Sequence, residues 1–342
     1  MAHTTFPHRR PGPADEALPA PSGGILDAVG GTPLVRLERL HPGAAFRVYA
    51  KLEALNPGGS LKDRSALGMI RHAIDTGELR PGMVVVESSS GNLAIGLAQV
   101  CGRLGLRLVC VVDPRTTPTN VAILRAYGAE VSLVEEPDPV TGEYLPARLR
   151  RVRELREQLG DVFWPNQYAN ASNARAHHQT MREIAQALDG RVDHLLCATS
   201  TCGTLRGCAE HIRERGLPTR VVAVDAVGSV IFGGPAAPRL VPGHGAATRP
   251  GLFGPDLADE VVHASDLDCV VGCRRLVRRE SLLAGGSSGA LVAALDRIAG
   301  RIPAGATCVL VLPDRGERYL DTIYSDAWVR EHFGDVAHLW EG

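Results

Sequence analysis

From about residue 24, the chain alternates short runs of β-branched and aliphatic residues with stretches whose apolar positions recur every three or four residues. Near-continuous apolar runs at 83–87 (MVVVE), 108–113 (LVCVVD), 131–135 (VSLVE), 195–198 (LLCA), 221–225 (VVAVD) and 308–312 (CVLVL) predict strands covered on both faces. Helices are predicted between them, over 62–76, 92–104, 118–127, 145–159, 172–188, 204–215, 273–283 and 288–300. Strand and helix in alternation mean an α/β architecture, with mostly parallel sheets flanked by helices and joined by right-handed crossovers. The segment 228–257, rich in Gly and Pro, breaks the pattern, and a loop of that length inside a compact domain is usually functional or mobile.

The 342 residues suffice for about two domains with real cores. With 37 basic and 38 acidic residues the net charge is −1, which argues against a dedicated nucleic-acid or anionic-membrane binder. No apolar run approaches the roughly 20 residues of a membrane helix. Residues 1–23 lack the apolar stretch of a signal peptide and read as a disordered, Pro-rich leader. The eight cysteines show neither CxxC pairs nor His-linked zinc spacing, a pattern of buried free thiols in a reducing cytoplasm rather than of a metal site or a disulfide framework. The arginine-rich stretches 147–158 and 273–280 carry acidic residues among their charges and read as solvated helix faces. One count is more telling: 35 of the 37 basic residues are arginine, so chemistry that needs a side-chain amine has two candidates, Lys51 and Lys62. Lys51, in VYAKLE, alternates with apolar neighbours on an expected edge strand, solvated or ion-paired.

Lys62 sits in NPGGSLKDRSALGMI (56–70), a tight turn followed by a helix that Ser60 can cap. A lysine in the first helical turn lies at the positive end of the dipole, which disfavours its charged form and suits a Schiff-base amine. A surface lysine beside a cap is the alternative. Two further segments run from a buried strand through small polar residues into a helix. Ser88, Ser89, Ser90, Gly91 and Asn92 offer hydroxyls and free N–H groups to a carboxylate or phosphate, or else make a plain N-cap. Ser200, Thr201, Cys202, Gly203 and Thr204 have the composition of a phosphate cradle, while neither GK[ST] nor GxGxxG spacing occurs. A third loop, GGSSGA (285–290), carries Ser287 and Ser288 into an apolar helix. A phosphate-bearing aldehyde cofactor held by a lysine, with a substrate carboxylate in the other loop, accounts for these features together.

With GGTPLVRL (30–37), NPGGSLKDR (56–64), SSSGN (88–92), STCGT (200–204), GGSSGA (285–290) and GERYLDTIY (316–324) in this order, the chain resembles the fold-type II pyridoxal-phosphate enzymes of the cysteine synthase superfamily over roughly residues 24–325. The resemblance implies a larger cofactor-phosphate domain (24–55 plus 168–325), a smaller substrate-loop domain (56–167), a C-terminal tail (326–342) and a homodimer. It implies that Lys62 forms the Schiff base with pyridoxal 5′-phosphate and then removes the Cα proton. It places Asn92 on the cofactor's 3′ oxygen, Ser200, Thr201, Cys202, Gly203 and Thr204 on its phosphate, and Ser287 at the pyridine nitrogen. The substrate carboxylate falls to Ser89, Ser90 and Gly91.

Within the superfamily, ESSSGNL (87–93), PGHGAATRPGLF (242–253) and DRGERYLDTIYSDAWV (314–329) are similar to the N-(2-amino-2-carboxyethyl)-L-glutamate synthases, which make the precursor of 2,3-diaminopropionate for siderophores and peptide antibiotics. Ordinary cysteine synthases read Thr-Ser-Gly-Asn-Thr in the substrate loop, where the last position here is Leu93, and commonly carry Gly where Cys202 stands. The activity so implied is β-replacement: phosphate leaves O-phospho-L-serine and the amine of L-glutamate adds at the β carbon. Tyr168, Ser200, Arg239 and Arg249 are candidates for holding the second substrate's carboxylates. A cysteine synthase using sulfide and a catalytically silent module of the same fold are the alternatives. A threonine dehydratase or cystathionine synthase is expected to bring a regulatory domain or a haem segment besides these motifs.

Overall fold

The computed structural model describes residues 23–140 and 142–341, and the leader expected at the N-terminus lies, up to residue 22, outside the described residues. Two sheets form; the six predicted apolar runs supply three strands of each, and the other four strands lie outside those runs. The larger has six strands in the order β1 (Leu34–Arg36), β2 (Arg47–Leu52), β10 (Thr307–Leu312), β7 (His194–Ala198), β8 (Arg220–Ala226) and β9 (Glu260–Ala264). All its neighbours run parallel except β1 against β2. The smaller is wholly parallel, in the order β5 (Glu130–Leu133), β4 (Arg107–Val112), β3 (Val84–Ser88) and β6 (Val162–Phe163).

The continuous apolar runs have their explanation in this layering. Along β10, Cys308, Leu310 and Leu312 enter a core shared with Leu291 and Leu295, while Val309 and Val311 enter another with Met181 and Leu205. Along β3, Val85 packs with Ile70 and Leu97, and Val84 and Val86 pack with Val152 and Leu155. A strand with helices on both faces has no position where a polar side chain reaches water, and each buried Val or Leu contributes about 1.5–3 kcal/mol.

The helices are α1 (Lys62–Asp75), α2 (Asn92–Leu104), α3 (Pro118–Ala126), α4 (Tyr144–Leu159), α5 (Ala171–Ala187), α6 (Gly203–Glu214), α7 (Asp266–Glu280), α8 (Gly286–Ile298), α9 (Asp326–Phe333) and α10 (His338–Glu341). Seven of the eight predicted spans agree within a residue or two, but α7 begins seven residues before the expected 273. Its start is a capping box, Ser265 with Asp268, whose side chains and backbone N–H groups bond reciprocally.

Three expectations need correction. Strand β2 is not an edge, since it lies between β1 and β10, and Lys51 on it is 2% exposed and ion-paired with Glu183 at 2.6 Å. Glu183 also takes Arg64 at 2.7 Å, so the lysine is a buried partner in an ionic cluster rather than a solvated one. The arginine runs are not solvated throughout: Arg148, Arg274 and Arg275 each have only 15% of their side chain exposed. Arg249 does not reach the cleft described below, because its Nε donates to Ile231 O and its guanidinium stacks over Phe253. All eight cysteines are free and buried, as their apolar settings suggested. No helix among the described residues is long and apolar enough to cross a membrane.

Candidate active site

The carboxyl ends of β3, β4, β7 and β10 open onto one cleft of about 430 Å³, the position where open parallel sheets take ligands. Lys62, Ser89, Ser90, Gly91, Asn92, Tyr168, the 200–204 loop and Ser287 all line it, drawn from five separate parts of the chain.

Lys62 is the first residue of α1, after a turn in which Ser60 Oγ accepts from Lys62 N at 3.2 Å, although the N-cap position itself is Leu61. Burial lowers the amine to about 8, a loss that the Asp314 carboxylate partly offsets. Asp314 is itself pushed up by burial, against hydrogen bonds that it accepts from Asn92 Nδ2 (2.8 Å) and Tyr319 Oη (2.7 Å). An amine with a pKa near 8 is partly neutral at physiological pH, so it can both attack a carbonyl and carry a proton.

The 200–204 loop is held from behind. Cys202 stands in the left-handed region at φ 64° as the N-cap of α6, and its side chain packs with Ile231, Ala246 and Leu252 of the irregular segment. A Cβ on Gly203 would stand 2.6 Å from Asn173 Oδ1, and one on Gly207 would fall on the Ala174 carbonyl oxygen. These two glycines let α6 press directly on α5. Asn173 Nδ2 bonds Gln167 O at 2.7 Å and Thr201 Oγ1 at 3.3 Å. His177, wholly buried, lies 3.3 Å from Thr204 Oγ1 and 3.2 Å from Ser65 Oγ, tying α5 to α6 and α1. Burial and the nearby charges of Lys62 and Arg64 hold it well below the usual imidazole range, so it stays neutral.

The 88–92 loop is built differently. Gly91 is the N-cap of α2, and a Cβ added there meets nothing within 4 Å. Beneath it, the Glu87 carboxylate accepts from Ser88 N (2.8 Å) and Trp164 Nε1 (3.1 Å), and burial pushes it up to about 7. Above it stands Arg148 of α4, with Nη1 3.4 Å from both Ser90 Oγ and Asp113 Oδ2 and with its buried Nε unpartnered. Leu93 is buried in the core behind the loop and also borders the cleft.

Sequence reasoning missed Asp314, Tyr319, Glu87, His177 and Arg148. Asp314 had a signal, since it directly follows a buried strand at the end where ligands bind. Arg148 had none: in sequence it is one arginine among several on a charged helix, and only the docking of α4 against β3 selects it.

The residues present fit a phosphorylated aldehyde cofactor. The loop before α6 offers backbone N–H groups and hydroxyls without an acidic side chain, at a helix N-terminus, which suits a phosphate dianion, and a buried amine of lowered pKa shares the same cleft. The profile of the family described as "Pyridoxal-phosphate dependent enzyme" matches residues 25–314. The chain belongs to this family. It is 49% identical over 306 residues to the N-(2-amino-2-carboxyethyl)-L-glutamate synthase of Ralstonia nicotianae, covering 89% of this chain and 90% of that protein. Among solved structures it is similar to O-ureido-L-serine synthase, with a TM-score of 0.82 and 35% identity over 90% of this chain and 99% of that one. The cysteine synthase of Entamoeba histolytica superposes with a TM-score of 0.83 at 32% identity, over 95% of this chain and 94% of the other.

Proposed function

We propose that the protein catalyses β-replacement on O-phospho-L-serine with L-glutamate as the amine nucleophile, giving N-(2-amino-2-carboxyethyl)-L-glutamate and phosphate. The observation that carries this reading beyond the family is Arg148: besides two anion-binding helix starts, the cleft holds a largely buried guanidinium with an unpartnered Nε. A nucleophile with two carboxylates needs such a partner, and the small sulfide ion does not. The likeness to the Ralstonia enzyme supports the same substrates.

Lys62 would hold the cofactor through its amine, the 200–204 loop its phosphate, Asn92 its 3′ oxygen, and Ser287 its ring nitrogen. When bound, pyridoxal phosphate supplies the sink for the electron pair left at Cα when the proton departs. The Ser89, Ser90 and Gly91 groups orient the substrate carboxylate, which fixes the Cα–H bond for removal. Lys62 Nζ accepts that proton, and its lowered pKa leaves it free to do so near neutral pH. Ser287, a neutral hydroxyl, does not stabilise a protonated ring, which favours loss of the β substituent over transamination. Arg148 and Tyr168 then receive the incoming glutamate, with Arg148 on a carboxylate. The enzyme acts as a cytoplasmic homodimer in this reading, which light scattering of the purified protein checks.

Incubation of the holoenzyme with O-phospho-L-serine and either L-glutamate or sulfide, with the products resolved by mass spectrometry, tests the reaction. The glutamate adduct is expected, and cysteine as the dominant product would replace this reading by the cysteine synthase one. A Lys62→Ala enzyme should lose the visible absorbance of covalently bound cofactor and turn over at least about 1,000-fold more slowly.

A further inference from the structure

On the outer side of the α5–α6 pair, one nitrogen each of His178 and His211 and one carboxylate oxygen of Glu214 lie within 4.8 Å of one another. His211 and Glu214 are three apart on α6 and share a face, and His178 comes from α5, which Gly207 allows to approach closely. Two imidazoles and a carboxylate are the donor set of zinc-class divalent ions.

The orientation of His178 is the second observation. Its Nε2 lies 3.2 Å from Glu210 Oε2, and its Nδ1 lies 3.5 Å from Glu214 Oε2. Glu210 is in turn held by Arg206 Nη1 at 3.1 Å. A carboxylate that takes the Nε2 proton turns the Nδ1 lone pair toward Glu214, the carboxylate–histidine relay that supports metal-ligating imidazoles. Donors at about 2.0–2.1 Å from a tetrahedral ion stand roughly 3.3 Å apart, so the His178–Glu214 edge already has the right length and His211 needs only a small rotation. His211 is buried, which fixes its ring against α5. Glu214 is exposed, which leaves an entry path and an open position for water.

We infer that His178, His211 and Glu214 form a binding site for one zinc-class divalent cation, with Glu210 as the positioning carboxylate, on the helix pair whose other end carries the 200–204 loop. The absence of CxxC and His-linked spacing in the sequence does not speak to it, because its ligands come from two helices and include no thiolate.

Titration of untagged, chelator-treated holoenzyme with zinc chloride, read by calorimetry and by thermal melting, tests the site. One equivalent should bind and raise the melting temperature. Affinity should fall by at least about 10-fold in His178→Gln and in Glu214→Gln, and by about 10-fold in Glu210→Gln. Glu214 is exposed, so its variant folds irrespective of the metal. No heat at millimolar zinc, or equal binding by wild type and the Glu214→Gln and His178→Gln variants, would overturn the inference.

Discussion

The two loops that precede α2 and α6 look alike in sequence, each a strand end followed by small hydroxyl residues and a glycine, yet they are supported in opposite ways. Behind the 200–204 loop, Gly203 and Gly207 touch Asn173 and Ala174, His177 bridges three helices, and Cys202 is locked in a left-handed conformation by an apolar cluster. In front of the 88–92 loop there is open cleft, Gly91 has no neighbour where a Cβ would stand, and the support beneath it is a carboxylate that titrates near neutrality. A resident group needs a rigid cradle, because rigidity spares it the ordering entropy on binding. Substrates that enter and products that leave need a surface that a changing ligand can share. The contrast fits the cofactor role proposed for the 200–204 loop and the substrate role proposed for the 88–92 loop, which composition alone does not separate.

The largest effect expected on this contrast comes from Gly207→Ala. The added methyl falls on the Ala174 carbonyl, a backbone atom that moves only with α5. Better helix propensity returns about 1 kcal/mol, against an overpacking cost of about 3 kcal/mol or more. The variant should melt lower and lose cofactor on dialysis, and a normal melting curve would mean that the α5–α6 contact is not the rigid element described here.

The next effect is in pH. Glu87 titrates near 4.5 when unfolded and at about 7 when folded, so the native state binds the extra proton between those values. Its contribution to stability is therefore fully present below about 4.5 and lost as pH rises through about 7, on the order of 3 kcal/mol across the window. Denaturant melts of wild type and Glu87→Gln at a series of pH values should show the difference between the two shrinking or reversing over that range. His177, held neutral behind the other loop, should give a slope of the opposite sign, with stability falling as pH drops below the ordinary imidazole value of 6.5, because only the unfolded chain then takes up the proton.

Arg148→Gln should cost about 2 kcal/mol of binding, or roughly 30-fold in KM for glutamate, with cofactor absorbance and KM for O-phosphoserine little changed. A rise confined to the O-phosphoserine KM would move the arginine to the first substrate. The smallest effect is expected of Gly91→Ala, within about 1 kcal/mol by thermal melting, because the new methyl meets only open cleft. A loss as large as that of Gly207→Ala would erase the distinction between the loops.

Periodicity was enough for the α/β layering and for eight helices, since strands buried on both faces cannot hide polar residues and so stay recognisable in one dimension. Short strands such as β1 and β6, of three and two residues, carry too few positions to show any period. Lysine scarcity and the helix-start loops were likewise local: an amine, a hydroxyl or a glycine at a turn announces itself by residue type. The sequence by itself thus determined which residues could bind an aldehyde, a phosphate and a carboxylate. Only the tertiary structure decided that Lys51 is buried among opposite charges while Lys62 opens onto the cleft, that Arg148 alone among the arginines of its run stands over Ser90, and that Asp314 reaches Asn92 from 222 residues away. The physical reason is that burial and the charge of neighbours set what an ionisable side chain can do, and both are properties of packing between segments far apart in the chain.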